Sequence, residues 1–240
     1  MDDRPSRPQD LAPARLGLPE EARLQLAGAP PAARQGGERR GAAGVQKGLA
    51  IRVDERRAEN PQRSVEVWAF DEHRVGLKPI LRRQWAPKGQ RPIAVGQHRY
   101  EWLYLYGFVH PSTGAVIWFV CSTVDTDLLS AVLAAFARAV GAGQDKLVVL
   151  VLDQAGWHVS EKLVVPDGIV LEFLPSYTPE LQPAERLWPL TNEAVANQHF
   201  ATLKALDTAL SARCCTLAAM PEIIKAETHF GWWPAIAVAN

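Results

Sequence analysis

Three acidic side chains stand where metal-dependent chemistry could use them. Asp71 follows the run Val65-Glu66-Val67-Trp68-Ala69-Phe70, and Asp153 follows Lys146-Leu147-Val148-Val149-Leu150-Val151-Leu152. Both runs have the apolar, β-branched weight of a strand, so each Asp closes one. In open α/β sheets, functional groups gather beyond the carboxyl ends of the strands. Two carboxylates brought together there repel each other unless a cation lies between them. Mg²⁺ suits such a place, since it takes oxygen ligands and keeps several waters. The third acid is Glu185, in the stretch Leu174-Pro175-Ser176-Tyr177-Thr178-Pro179-Glu180-Leu181-Gln182-Pro183-Ala184-Glu185-Arg186-Leu187-Trp188. Pro183 fits the first position of a helix, where its missing N–H costs nothing. Glu185 then sits at the helix start and points back toward the sheet. Each acid also has a structural explanation: a turn or N-cap for either Asp, and a dipole-favoured first-turn position for Glu185. Singly, capping accounts for each Asp ahead of catalysis; the third feature shifts the balance.

The elements that must position these acids can be read from periodicity. Lys146 to Leu152 is apolar on both faces, as a central strand buried on both sides would be. Trp102 to Val109 and Ala115 to Cys121 flank Pro111-Ser112-Thr113-Gly114 and predict an antiparallel hairpin. Leu128 to Val140 repeats apolar residues with helical spacing (Leu128, Leu129, Val132, Leu133, Phe136, Val140), and Asp125 and Asp127 are placed to cap it. A strand is expected over Ile169 to Leu174, and helices over Pro183 to Asn197 and Leu203 to Leu217. Pro189 should kink or split the first of these. The order predicts a mixed α/β sheet with helices on both faces. Glu72 should point to the opposite face from Asp71 because strand side chains alternate, which makes it a support for the site or a solvated residue. His158 reads as a packed or hydrogen-bonded histidine, or one that supports the site or contacts nucleic acid.

Composition changes sharply along the chain. The first 44 residues hold six Pro and six Gly, with no aromatic, Val or Ile, and all 19 aromatic side chains lie at or beyond Trp68. Such a segment buries too little apolar area to offset its ordering entropy, so residues 1–44 are expected to be disordered or a remnant. Residues 45–63 are expected to form a linker helix with Leu49, Val53 and Ile51 on one face, and residues 64–240 the catalytic domain. Net charge is zero, from 26 basic and 26 acidic residues, yet seven Lys or Arg and no acid lie between His73 and Tyr100. A local basic field of that kind attracts phosphates, although a solvated charged hairpin around Trp85 to Gly89 explains it as well. The cysteines Cys121, Cys214 and Cys215 show no zinc spacing and imply a reduced, cytoplasmic setting. No signal peptide or membrane-spanning run is evident.

The sequence resembles the DDE transposases of the mariner superfamily, in the branch found in bacterial insertion sequences. The resemblance rests on Trp68-Ala69-Phe70-Asp71-Glu72-His73-Arg74, on Val151-Leu152-Asp153-Gln154-Ala155-Gly156-Trp157-His158, and above all on Leu174 through Trp188. It runs from about residue 47 to the closing Phe230-Gly231-Trp232-Trp233-Pro234. Thr178 stands where Ser is usual, Ser176 where Pro often occurs, and Gln182 where Asn is typical. The spacing from Asp153 to Glu185 is a few residues short of the family's usual one, and Glu180 is the alternative third acid.

The resemblance implies an RNase H-like mixed sheet flanked by helices. By position, Asp71, Asp153 and Glu185 are the catalytic and metal-holding acids. The implied cofactor is Mg²⁺, for which Mn²⁺ can substitute, with no organic cofactor. The implied activity is DNA strand cleavage followed by strand transfer during transposition. The implied partners are the element ends, target DNA and a second copy of the chain in a homodimer, with no membrane. Arg74, Arg82, Arg83, Lys88 and Arg91 become DNA-backbone contacts, sequence-independent and salt-sensitive. Relatives carry helix-turn-helix domains ahead of the catalytic core, and residues 1–44 show no such pattern. The chain is therefore expected to be truncated or frame-shifted, or to have its recognition domain encoded separately. Two other readings stay open: an inactive remnant that at most binds DNA, and an RNase H-like nuclease.

Overall fold

A computed structural model describes residues 24–26, 39–83, 85–90, 99–176 and 178–234. The chain divides into two units, one of residues 1–31 and 83–93 and the other of residues 32–82 and 94–240. In the smaller unit β1 (Leu24–Leu26) pairs antiparallel with β3 (Trp85–Pro87), Gln25 opposite Ala86. A turn follows at Lys88-Gly89, where Gly89 takes a φ of 90°. The strand at Trp85 thus pairs with the N-terminal segment, whereas the sequence predicts a hairpin within the basic stretch. Most of residues 1–44, and Arg91, lie outside the described residues.

The larger unit is built on five strands in the order β5-β4-β2-β6-β7: β2 (Ser64–Gly76), β4 (Trp102–His110), β5 (Ala115–Cys121), β6 (Lys146–Leu152) and β7 (Ile169–Phe173). β2, β4 and β5 form an antiparallel meander, while β6 and β7 run parallel to β2. Helices cover both faces, so this is the mixed, RNase H-like sheet that the sequence leads one to expect. The central strand changes partner halfway. Its first half, Ser64 to Ala69, pairs with Lys146 to Val151 of β6, and Ala69 to Gly76 pairs with Val109 to Trp102 of β4. β2 therefore does not end at Asp71, as its composition suggests; hydrogen bonds to β4 carry it five residues further.

Alternation along the strands sends two apolar sets to opposite faces. On one, Trp68, Phe70, Tyr106, Phe108, Val148, Leu150 and Leu152 pack against α2 (Thr126–Val140). The Phe136 ring of α2 stacks on Phe108 at 4.1 Å, and Phe108 stacks on Phe70 at 4.3 Å. Asp125 caps α2 by accepting from the Leu128 N–H at 2.8 Å, and Gly141 ends it in the left-handed region at φ 70°. On the other face, Val67, Ala69, Val149 and Val151 meet α1 (Arg39–Glu59), α4 (Leu203–Ala218) and α5 (Pro221–Thr228) through a common apolar cluster. α1 begins at Arg39, ahead of the expected start. It buries Leu49 and Val53, one turn apart, while Ile51, half a turn round, is exposed.

The helix expected over Pro183 to Asn197 is broken. Two 3₁₀ turns, Pro179–Leu181 and Pro183–Arg186, precede a six-residue α3 (Leu187–Asn192). Pro189 has no N–H to give to the Glu185 carbonyl, so a regular α-helix does not run through the second of these turns.

Candidate active site

Register alone brings the first two acids together. Ala69 pairs with Val151 across the parallel β2–β6 ladder, and both belong to the cluster on the same face. Asp71 and Asp153 each lie two residues further on. They therefore leave the sheet at the same level and on the same side, just where β2 has parted from β6.

Glu185 reaches them by way of Gln182. That side chain is buried, donates from Nε2 to the Phe70 carbonyl at 3.0 Å and accepts the Ala184 N–H through Oε1 at 3.3 Å. It ties the start of the second 3₁₀ turn to the residue before Asp71. Ahead of it, the Thr178 hydroxyl donates to the Pro175 carbonyl at 2.7 Å and tightens the proline-rich turn. Glu185 then comes within hydrogen-bonding reach of Asp71. All three acids line one cleft of about 340 Å³, shared with Gln154, Gln182 and Thr178. Glu180, the alternative third acid, is exposed and lies outside that lining.

The three acids differ in their electrostatics. Burial pushes the Asp71 carboxyl well above the usual carboxylate range, and the negative charges of Glu185 and Glu72 push it further. The Trp188 indole, donating from Nε1 to Asp71 Oδ2 at 3.1 Å, only partly offsets this. Glu185 is also raised, by burial and by the charge of Asp153. Asp153 goes the other way: the His158 imidazole, 2.7 Å from its Oδ1, holds its carboxyl below the usual range. Burial pulls His158 down, but its bonds to Asp153 and Glu72 outweigh this and lift it to about 9.

This donor set fits a hard divalent cation. It offers carboxylate oxygens from three separate elements, and two of the three carry a repulsion that a positive charge would relieve. Among the described residues, no three His, Cys, Asp or Glu side chains are close enough to enclose an ion by themselves. The carboxylates would thus share the ion with water and with phosphate oxygens of a substrate, the usual habit of Mg²⁺.

Around the acids lie side chains that composition does not reveal. Glu72 faces away from the cleft, as alternation requires, and accepts the Trp157 Nε1–H at 3.1 Å and His158 Nε2 at 2.9 Å. It is a buried support rather than a solvated residue. His73, on the cleft side of β2, stacks on Trp188 at 5.0 Å and meets Asn192 Oδ1 at 3.0 Å. Burial pushes this imidazole below its ordinary value, and the bond to Asn192 only partly offsets that. The basic residues are more scattered than the sequence suggests. Arg74 is exposed over the Trp102 ring at 4.9 Å, on the face opposite Asp71. Arg82 donates to the Pro189 carbonyl at 2.6 Å and so helps hold α3. Arg83 and Lys88 are exposed in the smaller unit.

A mixed sheet that delivers three carboxylates to one cleft defines a class of metal-dependent nucleases. Residues 66–207 match the DDE superfamily endonuclease family, and the chain belongs to that family. Divalent metal use goes with this membership. An uncharacterised protein of Sinorhizobium fredii, y4pE/y4sA, is 46% identical over 87 residues, which cover 36% of this chain and 63% of that protein. The chain thus spans less than two thirds of the curated relative it matches. Among solved structures, similar chains include the Mos1 strand transfer complex (TM-score 0.48, 15% identity, 85% of this chain and 67% of that one). Another is the catalytic domain of the Mos1 mariner transposase (TM-score 0.44, 15% identity, 83% of this chain and 98% of that one). Among the described residues, no helix is long and apolar enough to cross a membrane.

Proposed function

We propose that this chain is the catalytic part of a mariner-type transposase from a bacterial insertion sequence, cutting the element's ends and joining them to target DNA. The observation that carries this reading is the single cleft shared by Asp71, Asp153 and Glu185, built by register on one side and by the Gln182–Phe70 bond on the other. Mg²⁺, with Mn²⁺ as substitute, would be held by these three acids. When bound, such ions activate water or a 3′-hydroxyl and neutralise charge that develops on the phosphoryl oxygens. The work of the protein is positioning. Asp71 and Glu185, crowded and raised, favour the cation-bound form, while Asp153 stays ionised through its bond to His158. No covalent link between protein and DNA is required, so no Ser or Tyr nucleophile is assigned. The partners proposed are the element ends, target DNA and a second copy of the chain, in the cytoplasm at the nucleoid. Arg74, Arg83, Lys88 and Arg91 are the proposed phosphate contacts; Arg82 serves α3 first.

Strand transfer separates this reading from a nuclease acting on RNA–DNA hybrids. A duplex ending in the element's recessed 3′-hydroxyl is incubated with plasmid and Mg²⁺. Covalent joining of the duplex to plasmid supports a transposase. Cleavage of a hybrid with no joined product contradicts it.

A further inference from the structure

The second carboxylate is held by machinery reaching through the sheet from its other face. Asp153 and His158 are five residues apart, and the turn between them brings the imidazole back onto its own strand end. His158 N–H donates to the Ala155 carbonyl at 2.9 Å, and the Ala155 N–H donates to Asp153 Oδ1 at 3.1 Å. His158 Nδ1 meets the same Oδ1 at 2.7 Å. The opposite ring nitrogen, Nε2, meets Glu72 Oε1 at 2.9 Å and Oε2 at 3.1 Å. The His158 side chain is fully buried and the Glu72 side chain is 6% exposed, whereas the Asp153 side chain is 53% exposed. Trp157 holds the Glu72 carboxylate from a second direction, and the Phe70 and Trp157 rings lie 5.6 and 5.7 Å from the imidazole.

A turn residue that only needed capping would not require this. The Ala155 N–H already satisfies the turn, and burying an imidazole against a second buried carboxylate adds a desolvation cost that capping alone does not repay. What the arrangement does achieve is a choice of oxygen. The Ala155 N–H and the His158 imidazole both fall on Oδ1, which leaves Oδ2 free of these two for the cleft. Ligands to metals are commonly fixed this way, by partners one layer behind them.

We propose that His158 is the positioning residue of the second carboxylate: anchored on Glu72, it locks Asp153 through Oδ1 so that Oδ2 is presented to a divalent cation. This rests on the reading of Asp153 as a metal-holding residue, and the test keeps the two separable. Mn²⁺ alone is titrated into the full chain and free Mn²⁺ is followed by electron paramagnetic resonance. Thermal unfolding without metal runs in parallel.

Three variants are compared with the parent. In His158→Asn the amide nitrogen takes the place of Nδ1 and keeps a donor for Asp153. In His158→Gln it takes the place of Nε2 and serves Glu72 only. Asp153→Asn removes the ligand. The expected result is Mn²⁺ affinity about 10- to 100-fold weaker in His158→Gln, the size of loss usual for a partner behind a metal ligand. His158→Asn, which keeps the donor to Asp153 but lacks the Glu72 anchor, should recover part of it, and Asp153→Asn should be at least as weak as His158→Gln. Equal affinity in the parent and His158→Gln, with loss in Asp153→Asn, overturns the positioning role and leaves the metal site standing. Equal weakening in both His158 variants also overturns it, since packing of the ring would then be what matters. Unchanged affinity in Asp153→Asn removes the metal-site reading itself. Should His158→Gln not fold, Glu72→Gln supplies the same comparison by weakening the anchor: an affinity equal to the parent's counts against the proposal, and a loss of about tenfold supports it.

Discussion

Asp71 and Glu72 are neighbours on β2 and meet opposite fates. Glu72 lies on the α2 side, where an imidazole and an indole N–H meet its carboxylate. Asp71 lies on the cleft side, where the charges of Glu185 and Glu72 raise it and the Glu72 backbone N–H and the Trp188 indole only partly offset the repulsion. One residue of a strand separates a satisfied buried carboxylate from a frustrated one. The α2 face has the character of a core, with Phe70, Phe108 and Phe136 in stacked contact and the Glu72 carboxylate matched by N–H donors. The cleft face carries a local electrostatic cost that stability alone would have removed. Such strain is characteristic of a site that is completed by something else, and on the proposed function that is a cation.

If the two faces play these parts, mutation should divide them. The largest effect belongs to the core. Phe136→Ala should cost about 3–5 kcal/mol of stability, as loss of a buried aromatic does. Denaturant melts would show this, while cleavage per folded molecule stays near the parent value. A large loss of activity in well-folded Phe136→Ala protein would mean that the faces are not separable.

The smaller effect has the opposite sign. Folded-state values raised above the ordinary 3.8 of Asp and 4.5 of Glu mean that the folded chain holds these protons more tightly than the unfolded one. The metal-free protein therefore has its full stability below the unfolded values and loses some as pH rises through the raised ones. Asp71→Asn removes the cost, so its melting temperature should exceed the parent's near pH 7 by about 2–4 °C, the shift that ~1 kcal/mol makes at this size. The difference should vanish toward pH 4 and shrink when Mn²⁺ stabilises the parent. A variant less stable than the parent at neutral pH would contradict the reading of Asp71 as a strained acid.

Much of this was legible before the fold was seen. The unbroken apolar run at β6 announced a strand buried on both sides, and alternation put Asp71 and Glu72 on opposite faces. The motif ending at Glu185 brings that acid into the cleft of Asp71 and Asp153, with Glu180 left exposed outside it. Other features lay beyond local pattern. β2 outruns its predicted end because β4, some thirty residues later, supplies its hydrogen bonds. Pro189 promised a broken helix, but how far upstream the 3₁₀ turns reach depends on the Gln182 bond to Phe70, across 112 residues. The Glu72–His158 contact spans 86 residues, and nothing in either neighbourhood names the other. The fold also sets the Arg82 guanidinium on a carbonyl of α3, a contact that no local pattern announces.

The central claim is that Asp71, Asp153 and Glu185 form one metal-dependent DNA-cutting site. Nicking of supercoiled plasmid in Mg²⁺ or Mn²⁺ by the parent and by Asp153→Asn tests it most directly. The account predicts metal-dependent nicking by the parent and a loss of about 10³-fold or more in the variant, since metal activation is worth several kcal/mol and each ~1.4 kcal/mol is a factor of ten. Equal nicking by both proteins would place the chemistry elsewhere and contradict the account.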